Sequence, residues 1–309
     1  MQFFQTPRID FIGKRRIAYL ISVSVLVVGL GFLVIRGGPN YGIDFKGGTS
    51  IVLRFDEPVT TQQIREAMNA IGLGASEIKG FGSAGEFIIY VEQQKDVSAS
   101  EMVDRVEQTI TETLKDVDYE VRKVDTVGPK IGGELRKSMI IAVLISLILI
   151  LIYVGWRFEF IFAVGAIIAL FHDVLITLGI FGILNYELSL KEIAAFLTIV
   201  GYSLNDTIVV YDRIREDLKT MRNDDLSTII NHSINQVLSR TVITSLTTFV
   251  VVLTLFLLGG EVIKGFAFTM LIGVVVGTYS SIFVASPLIL EWQLRHGGKQ
   301  KLRMARKKK

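Results

Sequence analysis

Residues 17–35 read Ile17-Ala-Tyr-Leu-Ile-Ser-Val-Ser-Val-Leu-Val-Val-Gly-Leu-Gly-Phe-Leu-Val-Ile35, nineteen residues without a charge, preceded by Lys14, Arg15 and Arg16. At ~1.5 Å per residue such a run crosses a hydrocarbon core of ~30 Å. A secretory signal has a similar basic flank, but its apolar part is only about 7–15 residues and ends in small residues. Here Arg36-Gly-Gly-Pro39 follows, with no A-x-A-like site, so the run reads as a retained membrane helix. A hydrophilic stretch 36–137 comes next, then five further apolar runs at 138–156, 160–186, 193–211, 242–258 and 265–290. The expected organisation is a segment 1–16, a first membrane helix 17–35, a domain 36–137, helices two to six within 138–290, and a basic tail 291–309.

The composition agrees. Half of the 309 residues are hydrophobic and the mean hydropathy is +0.49, too high for a soluble globular chain. With charged residues at only 20%, disorder is excluded. The absence of cysteine excludes disulfides, zinc–thiolate sites, iron–sulfur clusters and a thiol nucleophile. Orientation follows from Lys and Arg in the short segments. If the N-terminus is cytoplasmic, eighteen lie in inside segments and two in the outside loops 187–192 and 259–264. Both termini are therefore expected on the cytoplasmic side and 36–137 on the outside. The tail 295–309 lacks interleaved aromatics, so it reads as an end lying near anionic lipid rather than a nucleic-acid site.

The external stretch carries 13 Lys/Arg against 17 Asp/Glu. Strands are expected at 50–55, 77–81, 86–92 and 119–127, with a Gly-rich turn at 82–85. Thr60-Thr-Gln-Gln63 and Ser98-Ala-Ser-Glu101 have capping-box spacing and open two helices. The second helix has Met102, Val103, Val106, Ile110 and Leu114 at helical spacing. The order is βαββαβ, an α+β ferredoxin-like arrangement. Its two flanks, Tyr41-Gly-Ile-Asp-Phe-Lys-Gly-Gly-Thr49 and Val127-Gly-Pro-Lys-Ile-Gly-Gly-Glu134, are too apolar for plain linkers and suit close approach to the membrane face.

Ionisable residues at membrane depth are costly and mark function by default. His172-Asp173 sits mid-way along the third helix. Asn205-Asp206 lies in the cytoplasmic half of the fourth, and Arg240 opens the fifth ahead of Thr241, Thr244, Ser245, Thr247 and Thr248. Helical spacing puts Tyr202, Ser203 and Asp206 on one face, directed away from lipid. A carboxylate that alternates between burial and a guanidinium neighbour can take up and release a proton, which is what a relay requires. The competing reading is polar glue between helices. His172 and Asp173 diverge by about 100° and cannot both face one partner, and Arg240 can snorkel to the headgroups. Gly273-Val-Val-Val-Gly277 is a weak packing signal. The chain has no phosphate-binding loop and no intramembrane aspartyl protease motif, and one His-Asp pair has too few ligands for a metal. Neither a catalytic site nor a cofactor is expected.

Gly42-Ile-Asp-Phe-Lys-Gly-Gly-Thr49, Val127-Gly-Pro-Lys-Ile-Gly-Gly-Glu134, His172-Asp-Val174 and Val200-Gly-Tyr-Ser-Leu-Asn-Asp-Thr-Ile-Val-Val-Tyr-Asp-Arg-Ile-Arg215 resemble the SecD/SecF family of the bacterial Sec translocon, within the RND superfamily. The resemblance runs from the first helix to the last. It implies an accessory translocase subunit of the cytoplasmic (inner) membrane that pairs with SecD, associates with the SecYEG channel and assists preprotein export. The proton gradient would drive this step after the ATP-driven motor has started it, and YajC and YidC are further candidate partners. The family's proton pathway maps onto Asp206 and Arg240, with Asp173, His172 and Asn205 as candidate relay members. Gly42, Asp44, Gly47, Gly48, Gly128, Gly132 and Gly133 are motif positions. The alternatives are half of an RND-type exporter of small molecules or lipids, and a non-transporting assembly scaffold.

Overall fold

The computed structural model of the protein describes residues 7–80, 85–94, 97–115 and 117–296. The expected turn around residues 82–84 and the basic tail from residue 297 onward lie outside the described residues. Helix α1 (Arg15–Ile35) spans the first apolar run, and a single turn α2 (Ile43–Lys46) leads into the external domain. That domain comprises β1 (Gly48–Phe55), α3 (Thr61–Ala70), β2 (Glu77–Gly80), β3 (Glu86–Glu92), α4 (Ala99–Thr113) and β4 (Tyr119–Val127). Helices α5 (Pro129–Arg157), α6 (Phe160–Ile183), α7 (Leu190–Thr220), α8 (Leu226–Leu258), α9 (Glu261–Ser280) and α10 (Ser286–His296) follow. Five residues, Ser281–Ala285, form a π-helical turn that joins α9 to α10 in one span. Among the described residues, six helical spans are long and apolar enough to cross a membrane.

The sheet is antiparallel throughout, in the order β2-β3-β1-β4, which is the βαββαβ arrangement expected. Alternation along β1 sends Ile51, Leu53 and Phe55 into a core with Ile64 and Met68 of α3 and Met102, Val106 and Ile110 of α4. The capping box Thr60–Gln63 is complete. At α4 only half of the expected box forms, Ser98 accepting from the Glu101 N–H. A third box, Ser189–Glu192, opens α7.

In the membrane half, α6, α7 and α9 form the centre. Backbones come close where glycines meet: a Cβ on Gly29 of α1 would lie 2.8 Å from the Gly179 Cα of α6. The Gly273–Gly277 pair packs onto α7, where added Cβ atoms would lie 2.2 Å from Ile199 and 3.0 Å from Ser203. Arg15 and Glu291 pair at 2.8 Å, so the start of α1 and the end of α10 share the end of the bundle opposite the external domain.

At that end the structure adds to the sequence reading. The stretch 212–240, read as an inside connection, is almost entirely helical, as α7 and α8 run past the expected apolar limits. Ile229, Ile230 and Ile234 bury one face of the extended α8. Its Asn231 and Asn235 grip the backbone of residues 9–12, accepting from the Ile9, Phe11 and Ile12 N–H groups at 2.9–3.1 Å.

Candidate site among the membrane helices

Asp173 is fully buried on α6 and its acceptor capacity is well used. Its Oδ2 accepts from Ser280 Oγ at 2.7 Å and from Ser203 Oγ, and its Oδ1 lies 2.9 Å from His172 Nδ1. The His172 ring diverges toward α1, as the 100° step requires, and its Nε2 is 2.9 Å from Ser22 Oγ. Ser22 Oγ is in turn 3.2 Å from the hydroxyl of Tyr279, which donates to the Ala18 carbonyl at 2.8 Å. The hydrogens can be counted. With neutral His172, Ser22 donates to Nε2 and Tyr279 to Ala18. With imidazolium, Nε2–H donates to Ser22, Ser22 to Tyr279 and Tyr279 to Ala18, so both states leave every donor satisfied. One polar network thus joins α1, α6, α7 and α9.

Asp206 is only 2% exposed, yet its one hydrogen-bond partner among the described residues is Ser245 Oγ of α8, donating at 3.2 Å. Ser245 accepts from Thr278 of α9 at 2.7 Å. Nearby hydroxyls of Tyr202, Thr207 and Thr241 are buried without a partner among the described residues. Among the described residues Asp206 makes no direct ion pair with Arg240, which is exposed; Ser245, five residues further along α8, is the group hydrogen-bonded to the carboxylate. Asn205 likewise points out of the bundle. Ser203 and Asp206 are buried and Tyr202 half-buried, so the shared face of α7 is as expected.

Arg240 and Asn205 belong to polar stripes. On α7, Thr198, Gly201 and Asn205 are exposed, and on α8 so are Arg240 and Thr247, with Thr244 half-exposed between them. The threonines spend their hydroxyls on their own helices, donating to carbonyls three or four residues back. Sequence reasoning missed Ser22, Ser280, Thr278 and Tyr279. The available signal was a hydroxyl within an otherwise aliphatic run, which membrane helices tolerate too freely for it to stand out.

The motif glycines sit where the external domain meets the membrane half. Gly47 and Gly48 have φ of +80° and +152°, and a Cβ on Gly48 would lie 2.5 Å from the Val91 carbonyl, so neither position suits a side chain. Gly132 of α5 approaches the Phe45 and Gly47 backbone, where a Cβ would find atoms at 3.1 Å. Gly42 faces the loop between α6 and α7, and Asp44 accepts from the Leu190 N–H at 2.9 Å at the start of α7. Gly128 caps α5, and Gly133 has open space around it.

A six-span bundle with a ferredoxin-like domain after its first helix, and carboxylates buried among its central helices, is the architecture of one half of an RND-type transporter. Residues 106–295 match the family described as Protein export membrane protein SecD/SecF, C-terminal, and residues 32–59 match the SecD/SecF GG motif. The chain belongs to this family of protein export membrane proteins. It is 46% identical over 284 residues to the protein translocase subunit SecF of Desulfurispirillum indicum, covering 90% of each chain. To the SecF of Rhodothermus marinus it is 41% identical over 312 residues, covering 99% of this chain and 100% of that one. The crystal structure of SecDF, a translocon-associated membrane protein from Thermus, matches with a TM-score of 0.84 at 40% identity over 95% of this chain. The chain spans 40% of the length of that SecDF chain.

Proposed function

We propose that the protein is the accessory subunit of the Sec translocase that, with SecD, uses the proton gradient to promote preprotein export after the ATP-driven step. It would act without a catalytic site of its own. The observation that carries this reading is Asp206: a carboxylate in a helix core with one hydroxyl partner and no ion pair among the described residues. Such a group is poised to change protonation state as its surroundings move. The exposed stripe holding Arg240 and Asn205 suits a partner half rather than lipid, because a guanidinium facing hydrocarbon would be costly. SecD would supply that surface. Asp206 would then exchange protons along the seam, while Asp173 and His172 carry the displacement inward to α1. One charge crossing 100 mV is worth about 2.3 kcal/mol, enough to bias a domain motion modestly per proton.

The distribution of Lys and Arg supports cytoplasmic termini and an external domain outside the cytoplasmic membrane. Preproteins and the SecYEG channel are the partners this placement calls for, with YajC and YidC to be sought by co-purification from native membranes. Export into inverted membrane vesicles, with and without an imposed proton gradient, tests the reading. Asp206→Asn should abolish the gradient-dependent increment and leave the ATP-driven part intact. Full gradient-dependent export by that variant overturns the relay and leaves the scaffold alternative.

A further inference from the structure

Glu187 stands in the loop between α6 and α7, outside the membrane-spanning segments, yet its side chain is only 12% exposed. The loop is stitched to the segment leading into the external domain. The Gly42 N–H donates to the Leu188 carbonyl at 2.9 Å, and the Leu188 N–H donates to the Asn40 carbonyl at 2.7 Å. A Cβ on Gly42 would come within 2.4 Å of Glu187 Oε1, so the glycine leaves the room that the carboxyl occupies. Across from it, Lys79 Nζ on strand β2 lies 3.2 Å from Glu187 Oε2 and 2.8 Å from Glu77 Oε1. Two carboxyl groups, one from the sheet and one from the membrane half, thus share one ammonium.

The other charges around the cluster are already committed. Asp44 of α2 accepts from the Leu190 N–H, and Lys46 pairs with Glu92 at 3.3 Å. Glu192 caps α7, and Lys191 donates to the Val262 carbonyl at 3.2 Å. Tyr90 of β3 lies under the Lys79 ammonium at 5.6 Å, and Lys264 of α9 lines the same cavity. Burial, then the hydrogen bond and charge of Glu77, push the Glu187 carboxyl up to about 7. Burial also works against Glu77, but hydrogen bonds from Glu187 and Lys79 outweigh it and hold Glu77 below the usual range.

We propose that Glu77, Lys79 and Glu187 form a proton-dependent clasp. It holds the external domain on the membrane half while Glu187 is protonated and loosens it when both carboxyl groups are charged. With Glu187 protonated, the cluster is neutral and Glu187 donates to Glu77. With all three ionised it carries a net negative charge in a half-buried cavity, and repulsion between the carboxylates opposes contact. The sign follows from linkage. A carboxyl whose value is raised on docking stabilises the docked form fully below the ordinary glutamate range, and that contribution is lost as pH rises through about 7. This inference does not depend on Asp206.

The chain has no cysteine, so two can be introduced as unique labelling sites. Spin labels at Glu112→Cys on α4 and Leu258→Cys at the end of α8, both exposed and away from the cluster, report domain position by pulsed electron resonance. In nanodiscs, the full chain should show one short distance near pH 5. The share at that distance should fall as pH rises from about 5 to about 9. Glu187→Gln and Glu77→Gln each leave a neutral cluster and should both keep the short distance at pH 9. Asp206→Asn should leave the transition unchanged. An invariant distance from pH 5 to pH 9, Gln variants that respond like the parent, or loss of the transition in Asp206→Asn would each overturn the clasp.

Discussion

Asp173 and Asp206 are both buried aspartates in neighbouring membrane helices, and their surroundings could hardly differ more. Among the described residues, Asp173 has three side-chain partners from α6, α7 and α9, whereas Asp206 has one, at 3.2 Å, and hydroxyls without a partner nearby. A fully satisfied buried carboxylate is a structural node, because every partner is left wanting if it goes. One that is barely satisfied loses little when its charge changes and is free to find a new partner. Burial alone therefore does not separate the two carboxylates; the count of donors does.

The sharpest break of this comparison is the pair of asparagine substitutions. Asp206→Asn should remove gradient-dependent export by about tenfold or more while changing stability by less than about 0.5 kcal/mol, since the amide oxygen still accepts from Ser245. Asp173→Asn should lower export less, by about threefold, as the node weakens. Equal losses from two folded variants would erase the distinction. The order should invert for stability. Asp173→Ala takes the acceptor from buried Ser203 and from His172 Nδ1, and leaves Ser280 only the Gly277 carbonyl; it should cost about 3 kcal/mol, read as a fall in the thermal unfolding midpoint in detergent. Ser245→Ala, which removes the one partner of Asp206 among the described residues, should shift the pH profile of export while leaving that midpoint within about a degree or two. The smallest effect is expected from Ser22→Ala. It removes the His172–Ser22 bond at a cost of about 1 kcal/mol while Tyr279 keeps its bond to the Ala18 carbonyl of α1, so export should stay near the parent level.

Much of this molecule is legible in its sequence, because lipid imposes strict rules. Runs such as 17–35 and 160–186 have few other fates in a chain this apolar, and an aspartate among aliphatic residues at 206 is conspicuous. The external fold was legible because Thr60–Gln63 and the periodicity of Met102, Val106 and Ile110 mark local boundaries. The connection 212–240 was not, since Asp212 and Arg213 end the hydropathic signal although the helix continues on an amphipathic pattern. The partner of Asp206 was illegible for a different reason. Which residue of α8 meets α7 is a matter of register between helices, set by contacts such as Gly277 against Ser203, and no spacing within one helix encodes it. Glu187 sat unmarked for want of a pattern, since one acidic residue just past a helix end is ordinary until Gly42 and Lys79 are seen around it.

The π-helical turn at Ser281–Ala285 carries a consequence for anyone reading tolerance to substitution along the last span. A π turn takes in one residue more than an α turn, which rotates everything after it by about 100° relative to an unbroken wheel. Ser280 before it meets Asp173, while Ile289 and Leu290 after it pack into the main bundle core. A mutational scan through 261–296 should therefore show two helical periodicities with a jump in phase between residues 281 and 286. A single wheel drawn through the whole span would assign half of it to the wrong face.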